Sequence, residues 1–245
     1  MSLVPSLTEL VCALGLGNQL VGRTGFCIHP QEVVKRIPKV GGTKTVDLER
    51  IRLLRPSHVI LNIDENAKPT ADALAAFVPN LIVTHPLAPL DNLALYRLLG
   101  AIFRRHTEAE NLCSQFQAAH DALARDAFPA RKVLYVIWKD PWMTVSRETY
   151  LSRTLALAGL VTQPESSTSR YPAFALTDAW VAESELVLLS SEPFMFRERH
   201  LPEVAALPAL VGKPVHLIDG EMTSWYGSRA IEGLAYLRAF RRTIA

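Results

Sequence analysis

Cysteine is scarce in this sequence: three in 245 residues, at positions 12, 27 and 113, with no C-x-x-C pair. A chain of this length with so few is not built on disulfides. The seven histidines form no H-x-x-x-H pair, so neither residue type suggests a structural zinc site. Charge of one sign is also lacking. The 26 basic and 24 acidic residues leave a net charge of +2, too small and too evenly spread to mark a nucleic-acid or anionic-membrane binder. Long hydrophobic runs are missing too. Val133–Trp138 has the length of a strand, far short of the ~20 residues that span a bilayer. The first residues show neither the basic nor the long apolar region of an export signal.

Several catalytic motifs are absent as well. Gly41-Gly-Thr-Lys44 lacks the first glycine of a phosphate-binding P-loop. Gly15-Leu-Gly17 follows a helix rather than a strand and has no third glycine, so it predicts a helix C-cap instead of a dinucleotide site. No G-x-S-x-G elbow occurs. The sequence sets out no nucleophile, base and orienting group, which points away from an enzyme. There is no repeat and no Gly/Ser linker.

What is present is an alternation of short apolar runs and helical segments. With 49% apolar residues the chain can bury a proper core. Strands are predicted at Gln19–Gly22, His58–Asn62, Leu81–Thr84, Lys132–Trp138, Leu186–Ser190 and Val215–Ile218. Several are apolar on both faces and rich in β-branched residues, as parallel strands covered on both sides require. The alternation predicts an α/β fold.

Two capping boxes mark helix starts, Ser6-Leu-Thr-Glu9 and Thr107-Glu-Ala-Glu110. The second opens a helix running to about Ala127 without Gly or Pro. Its stripe of Ala109, Leu112, Cys113, Phe116, Ala119, Leu123 and Ala127 gives one apolar face, with His120 at its boundary. A helix of that length spans ~30 Å, enough to join two lobes. Aromatic content changes at the same place. Four aromatics precede Phe116 and fifteen lie from Phe116 onward, including all four tryptophans. The predicted organisation is an N-terminal α/β lobe over 1–105, a connecting helix over 106–128 and a C-terminal α/β lobe over 129–245.

Four segments carry a family resemblance. They are Ser2-Leu-Val-Pro-Ser-Leu-Thr-Glu9 leading to Leu14-Gly-Leu-Gly17; Val21-Gly-Arg-Thr-Gly-Phe-Cys-Ile-His-Pro30 with Pro38-Lys-Val-Gly-Gly-Thr43 and Asp47–Ile51; Trp138-Lys-Asp-Pro-Trp-Met-Thr-Val145; and Leu188–Phe194 with Asp219–Arg229. Together they resemble the class III substrate-binding proteins of ABC importers, the helical-backbone receptors for cobalamin, haem and iron–siderophores. The tryptophan-rich C-terminal motifs look most like the cobalamin-binding members. The resemblance implies two Rossmann-like lobes joined by one long helix, a ligand cleft between them and a small closure on binding. It implies no catalysis and no prosthetic group. Cobalamin or another metal chelate would be the transported ligand, an ABC permease and ATPase complex the partner, and the receptor would act as a monomer without nucleic acid. Family members begin the first strand, here Ser2–Val4, several residues earlier, so a trimmed export signal and a periplasmic or other extracytoplasmic location are expected.

Site residues follow from the same resemblance. Phe26 falls where cobalamin-binding relatives place an aromatic, and a flat ring there can stack on a corrin or porphyrin. Thr43 and Asn62 stand where those relatives commonly carry tryptophans. Trp142 is the stronger ligand residue of the Trp138–Trp142 loop, with Trp138 packing beneath it. Tyr171 lies on a second lobe-edge loop. Trp225, Tyr226 and Arg229 follow the Val215–Ile218 strand. The arginine matches a position that contacts anionic ligand groups; the alternative for it is a salt bridge to Asp219 or Glu221. Glu192 fits the C-lobe glutamate that docks on the permease. In the N-lobe Glu65 is a displaced counterpart, and Lys68 has the opposite sign. An iron–siderophore or haem receptor is the alternative within the class, with His29 and Tyr171 as axial groups. Outside it stand a cytoplasmic corrinoid-handling protein or enzyme and a structural protein with a vestigial cleft.

Overall fold

The computed structural model describes residues 1–244. The chain divides into two compact units. Unit 1 comprises Met1–Pro86, Leu90–Gln115 and Tyr226–Arg229; unit 2 comprises Leu87–Pro89, Phe116–Trp225 and the chain from Ala230.

In unit 1, β1 (His58–Asn62) and β2 (Asn80–Thr84) pair in parallel, with His58 opposite Asn80 and Asn62 opposite Thr84. Single parallel bridges extend this pair: Ser2 to Ile60, Ser2 to Arg23, and Arg23 to Lys39. The run predicted as a strand over Gln19–Gly22 is therefore displaced. Gly17–Gln19 forms a 3-10 turn, and pairing begins only at Arg23. Leu3, Val40, Ile51, Val59, Leu61 and Leu74 form the core beneath these strands.

The helix Pro5–Ala13 does not use the predicted capping box. Pro5 occupies the first turn and Val4 is the N-cap, without a side-chain cap bond. Proline lacks the N–H that a cap would satisfy and has its φ already set, so the helix starts ahead of Ser6. The turn after it matches the sequence: Gly15 takes φ +74°, and the Leu16 N–H donates to Val11 O at 3.0 Å.

The long helix spans His106–Ala124, 19 residues. It opens one residue before Thr107 and closes before Ala127, which adopts φ +45°. Its residues pass from unit 1 to unit 2 after Gln115. Ala109, Leu112, Cys113, Phe116 and Leu123 are buried as the stripe predicts, and His120 stacks on Phe116 with ring centroids 6.2 Å apart.

Unit 2 holds a four-stranded parallel sheet in the order β4-β3-β5-β6: β3 (Arg131–Val136), β4 (Leu160–Thr162), β5 (Leu186–Ser190) and β6 (Val215–Ile218). Every β5 residue is buried. Leu134, Val136, Val187, Leu189 and Phe196 lie in the core on one side. β3 stops at Val136 because the chain turns back: the Ile137 N–H donates to Met143 O at 3.0 Å, and Trp138 bridges Met143 in antiparallel sense.

The C-terminal helix Arg229–Thr243 is tied into unit 2 by its arginines. Arg241, 1% exposed, donates to Ala158 O and Pro129 O. Arg238 and Arg242 each donate two hydrogen bonds to Asp126. These bonds, Arg238's foremost, hold the Asp126 carboxyl below the usual carboxylate range. A carboxyl with a depressed folded-state pKa contributes stability above its unfolded value of about 3.9, and loses it as pH falls through the folded value. Urea titrations of Asp126→Asn against the parent should therefore show a deficit that is constant from neutral pH down to about pH 4 and closes below it. A deficit that persists unchanged well below pH 4 would mean that the charge contributes nothing.

Candidate ligand-binding site

In unit 1 the loops at the C-terminal ends of β1 and β2 are held by buried amide side chains. Asn62 is 2% exposed, and both ends of its side chain are used. Its Oδ1 accepts from the N–H groups of Asp64 and Glu65, and its Nδ2 donates to Thr84 O at 3.1 Å. Asn66, unremarked as a site residue in the sequence, completes the clasp. Its Oδ1 accepts from Asn62 N–H, and its Nδ2 donates to Leu3 O and to Thr43 O. Asn62 is therefore a loop-building residue, and Thr43, half-buried, is held through its backbone. The one signal that could have pointed to this role is an asparagine at a strand's last position followed by an acidic turn.

Phe26 is different. It is 63% exposed, on a segment pinned by the Gly25 N–H donating to Gly41 O at 2.7 Å. Its ring edge lies close enough to Gly42 that a β-carbon there would sit 3.4 Å from Cε2. His29 lies with Arg23, Ile28, Gln31, Val34 and Lys35 around a pocket of about 420 Å3. Glu65 is half-buried, and burial raises its carboxyl pKa while Lys44 opposes the shift. Asp64 and His85 approach to 3.5 Å. Lys68 is exposed and pairs with Asp72 one helical turn on.

Arg229 forms a two-pronged ion pair with Glu9, at 2.8 and 2.7 Å. This pair adds Glu9, a residue far away in the sequence, to the acidic partners that the sequence suggested. Asp219 caps the helix Gly220–Ser224 by accepting from the Met222 N–H. Tyr226 is buried. The fork aligns the guanidinium with a carboxylate of the same unit, the geometry in which Arg–carboxylate pairs are strongest.

In unit 2 the two loop tryptophans differ in exposure. Trp138 is 38% exposed, its ring edge-on to Phe194 at 5.7 Å. Trp142 is half-buried, packs on the core and lies 6.4 Å from Phe174. The turn-back at Ile137 accounts for this: Trp142 O accepts from the Phe174 N–H, which sets its indole over the core. Tyr171 is 42% exposed. Trp225 is half-buried, and its indole Nε1–H donates to Glu192 Oε1 at 2.9 Å. Glu192 therefore turns at least one carboxylate oxygen inward. Among the described residues, no group of three or more His, Cys, Asp or Glu side chains is arranged to hold a metal ion.

Comparisons with known proteins agree with this architecture. The family described as "Periplasmic binding protein" matches residues 1–172. The chain is 26% identical over 199 residues to a vitamin B12-binding protein of Pectobacterium carotovorum, across 78% of this chain and 71% of that protein. It is 29% identical over 181 residues to the vitamin B12-binding protein of Pectobacterium atrosepticum, across 70% of this chain but 63% of that relative. Among solved structures, the periplasmic vitamin B12-binding protein BtuF of Vibrio cholerae superposes with a TM-score of 0.83 at 16% identity, over 99% of this chain and 95% of its own. The periplasmic haem-binding protein RhuT of Roseiflexus gives 0.81 at 22%, over 99% and 97%. These two likenesses establish the two-lobed α/β fold of such receptors. With the family match covering well over half of its length, the chain belongs to the periplasmic binding protein family.

Proposed function

We propose that this chain is the substrate-binding component of an ABC importer, that its cargo is a metal–tetrapyrrole or metal chelate with cobalamin foremost, and that it works in the periplasm or another extracytoplasmic space. It binds its substrate and does not transform it, in keeping with its family. The carrying observation is the match to vitamin B12-binding proteins across 78% of the chain. The surfaces of the two units are consistent with a flat cargo. Phe26 offers an exposed ring on unit 1, and Trp138 and Tyr171 offer exposed rings on unit 2. An exposed aromatic on an ordered loop is costly to leave in water, and stacking on a conjugated macrocycle removes that surface at little entropic cost.

In this proposal the half-buried Trp142 and Trp225 add to the unit 2 surface, Tyr226 packs in unit 1, Arg229 with Glu9 braces the segment that follows Trp225, and Asn62, Asn66 and Thr43 hold the unit 1 loops. The arrangement of rings and loops applies equally to haem. A haem-binding fold relative, and polar residues at positions 43 and 62 where tryptophans were expected, favour haem as the second cargo.

Titration with cyanocobalamin, with haem and a ferric siderophore in parallel, tests the reading. Intrinsic tryptophan fluorescence should be quenched to saturation at one ligand per chain. Haem saturation alone would change the cargo and keep the transport role; no saturation by any of the three would overturn the reading. Phe26→Ala should weaken binding by about 2 kcal/mol, roughly thirtyfold, and leave the thermal midpoint unchanged. Asn62→Ala should do the reverse in kind, costing about 2 kcal/mol of folding stability as buried amides lose their partners. A stability loss in the first variant, or none in the second, would exchange their assigned roles.

A further inference from the structure

The glutamate expected to face a permease is half-buried and held by its neighbours in unit 2. Glu192 Oε1 accepts two hydrogen bonds, from Trp225 Nε1 at 2.9 Å and from Ser224 Oγ at 2.8 Å. Its backbone is fixed as tightly. Ser190 Oγ donates to Glu192 O at 2.7 Å and accepts from Glu192 N–H at 3.3 Å, so the serine clamps the turn. Ser191 Oγ accepts from the Gly220 N–H at 2.8 Å and ties this turn to the helix that leads into Trp225. Gly220 makes the approach possible. A β-carbon there would lie 2.5 Å from Glu192 Cγ and 2.6 Å from Ser190 Oγ. Beneath them, the Tyr135 hydroxyl donates to Ser190 Oγ at 3.0 Å and lies 3.1 Å from Thr223 Oγ1, joining β3, β5 and the 220–224 helix through buried hydroxyls.

We propose that Glu192 is a positioning residue: its carboxylate sets the rotation of the Trp225 indole and so fixes one aromatic wall of the ligand-binding surface on unit 2. An indole is asymmetric, with one polar edge, and a half-buried tryptophan finds a partner for its N–H. A carboxylate is the strongest acceptor available, and the bond fixes which ring edge faces outward. Ser224, one residue before Trp225, shares the same oxygen, so the backbone that carries the indole is held together with the ring. The proposal rests on the cargo reading above only for its consequence on binding. The indole geometry itself is independent of any ligand.

The test uses the full chain labelled with 15N-tryptophan, in which four indole N–H resonances are expected from the four tryptophans. Trp225→Phe identifies the relevant peak. In ligand-free Glu192→Ala that peak should move upfield, towards the position of an indole without a charged acceptor, while the other three stay in place. Glu192→Gln retains an acceptor oxygen and should restore most of the shift. Cyanocobalamin affinity should fall about tenfold in the alanine variant and recover to within about threefold in the glutamine variant. An unmoved Trp225 resonance in the alanine variant overturns the proposal, as does a moved resonance with unchanged affinity. Equal loss of affinity in the alanine and glutamine variants would also overturn it, because a positioning acceptor is rescued by glutamine. Should the parent protein bind neither cyanocobalamin nor haem, the cargo reading fails, and the resonance shift alone decides whether Glu192 sets the indole.

Discussion

Peptide groups at the C-terminal ends of buried parallel strands have no further strand to pair with, and each one left without a partner costs about 1–3 kcal/mol. The rest of this structure depends on how that requirement is met. In unit 1 the side chains of Asn62 and Asn66 take up the backbone groups of the 62–66 loop and reach across to Leu3, Thr43 and Thr84. In unit 2 Ser190 and Ser191 do the equivalent work at the end of β5, with Tyr135 beneath them. Loops satisfied in this way stay ordered while presenting large aromatic side chains to solvent. Phe26, Trp138 and Tyr171 are exposed because their backbones are held elsewhere, and that combination suits recognition of a flat, largely apolar ligand.

The charged residues include several forked pairs whose two members lie in the same unit. Arg229 is forked onto Glu9 in unit 1, and Asp126 gathers Arg238 and Arg242 in unit 2. The buried Arg241 spends its donors on carbonyls instead of on a carboxylate. These arrangements anchor the C-terminal helix to the segment where unit 2 begins, so the last residues of the chain brace its middle.

Much of the scaffold was legible in the sequence because hydrophobic pattern and length agree for its central strands. β1, β5 and β6 fall on the predicted residues, and the apolar stripe of the long helix is buried as its spacing requires. β4 carries no sequence signal, because three residues, one of them threonine, show no period. The strand predicted at Gln19–Gly22 is displaced because the chain there pairs through a single residue, Arg23. Both capping boxes had the right letters in the wrong frame, since each helix opens ahead of its serine or threonine. The candidate site was less legible, because its roles depend on partners far away in sequence. The deeper burial of Trp142 follows from a turn closed by Met143 and Phe174. Glu192 looked like a surface charge in Ser-Ser-Glu-Pro, and only folding brings Ser224 and Trp225 onto its carboxylate.

The central claim is that ordered aromatic loops, one set on each unit, are the surfaces that receive the cargo. Backbone hydrogen exchange read by mass spectrometry, with and without saturating cyanocobalamin and with haem in a parallel sample, tests it most directly. The account predicts slowed exchange in the segments carrying Phe26, Trp138, Tyr171 and Trp225, with the buried strands β1, β3 and β5 unchanged. Slowing confined to other surfaces, or none in these segments at ligand saturation, would contradict it.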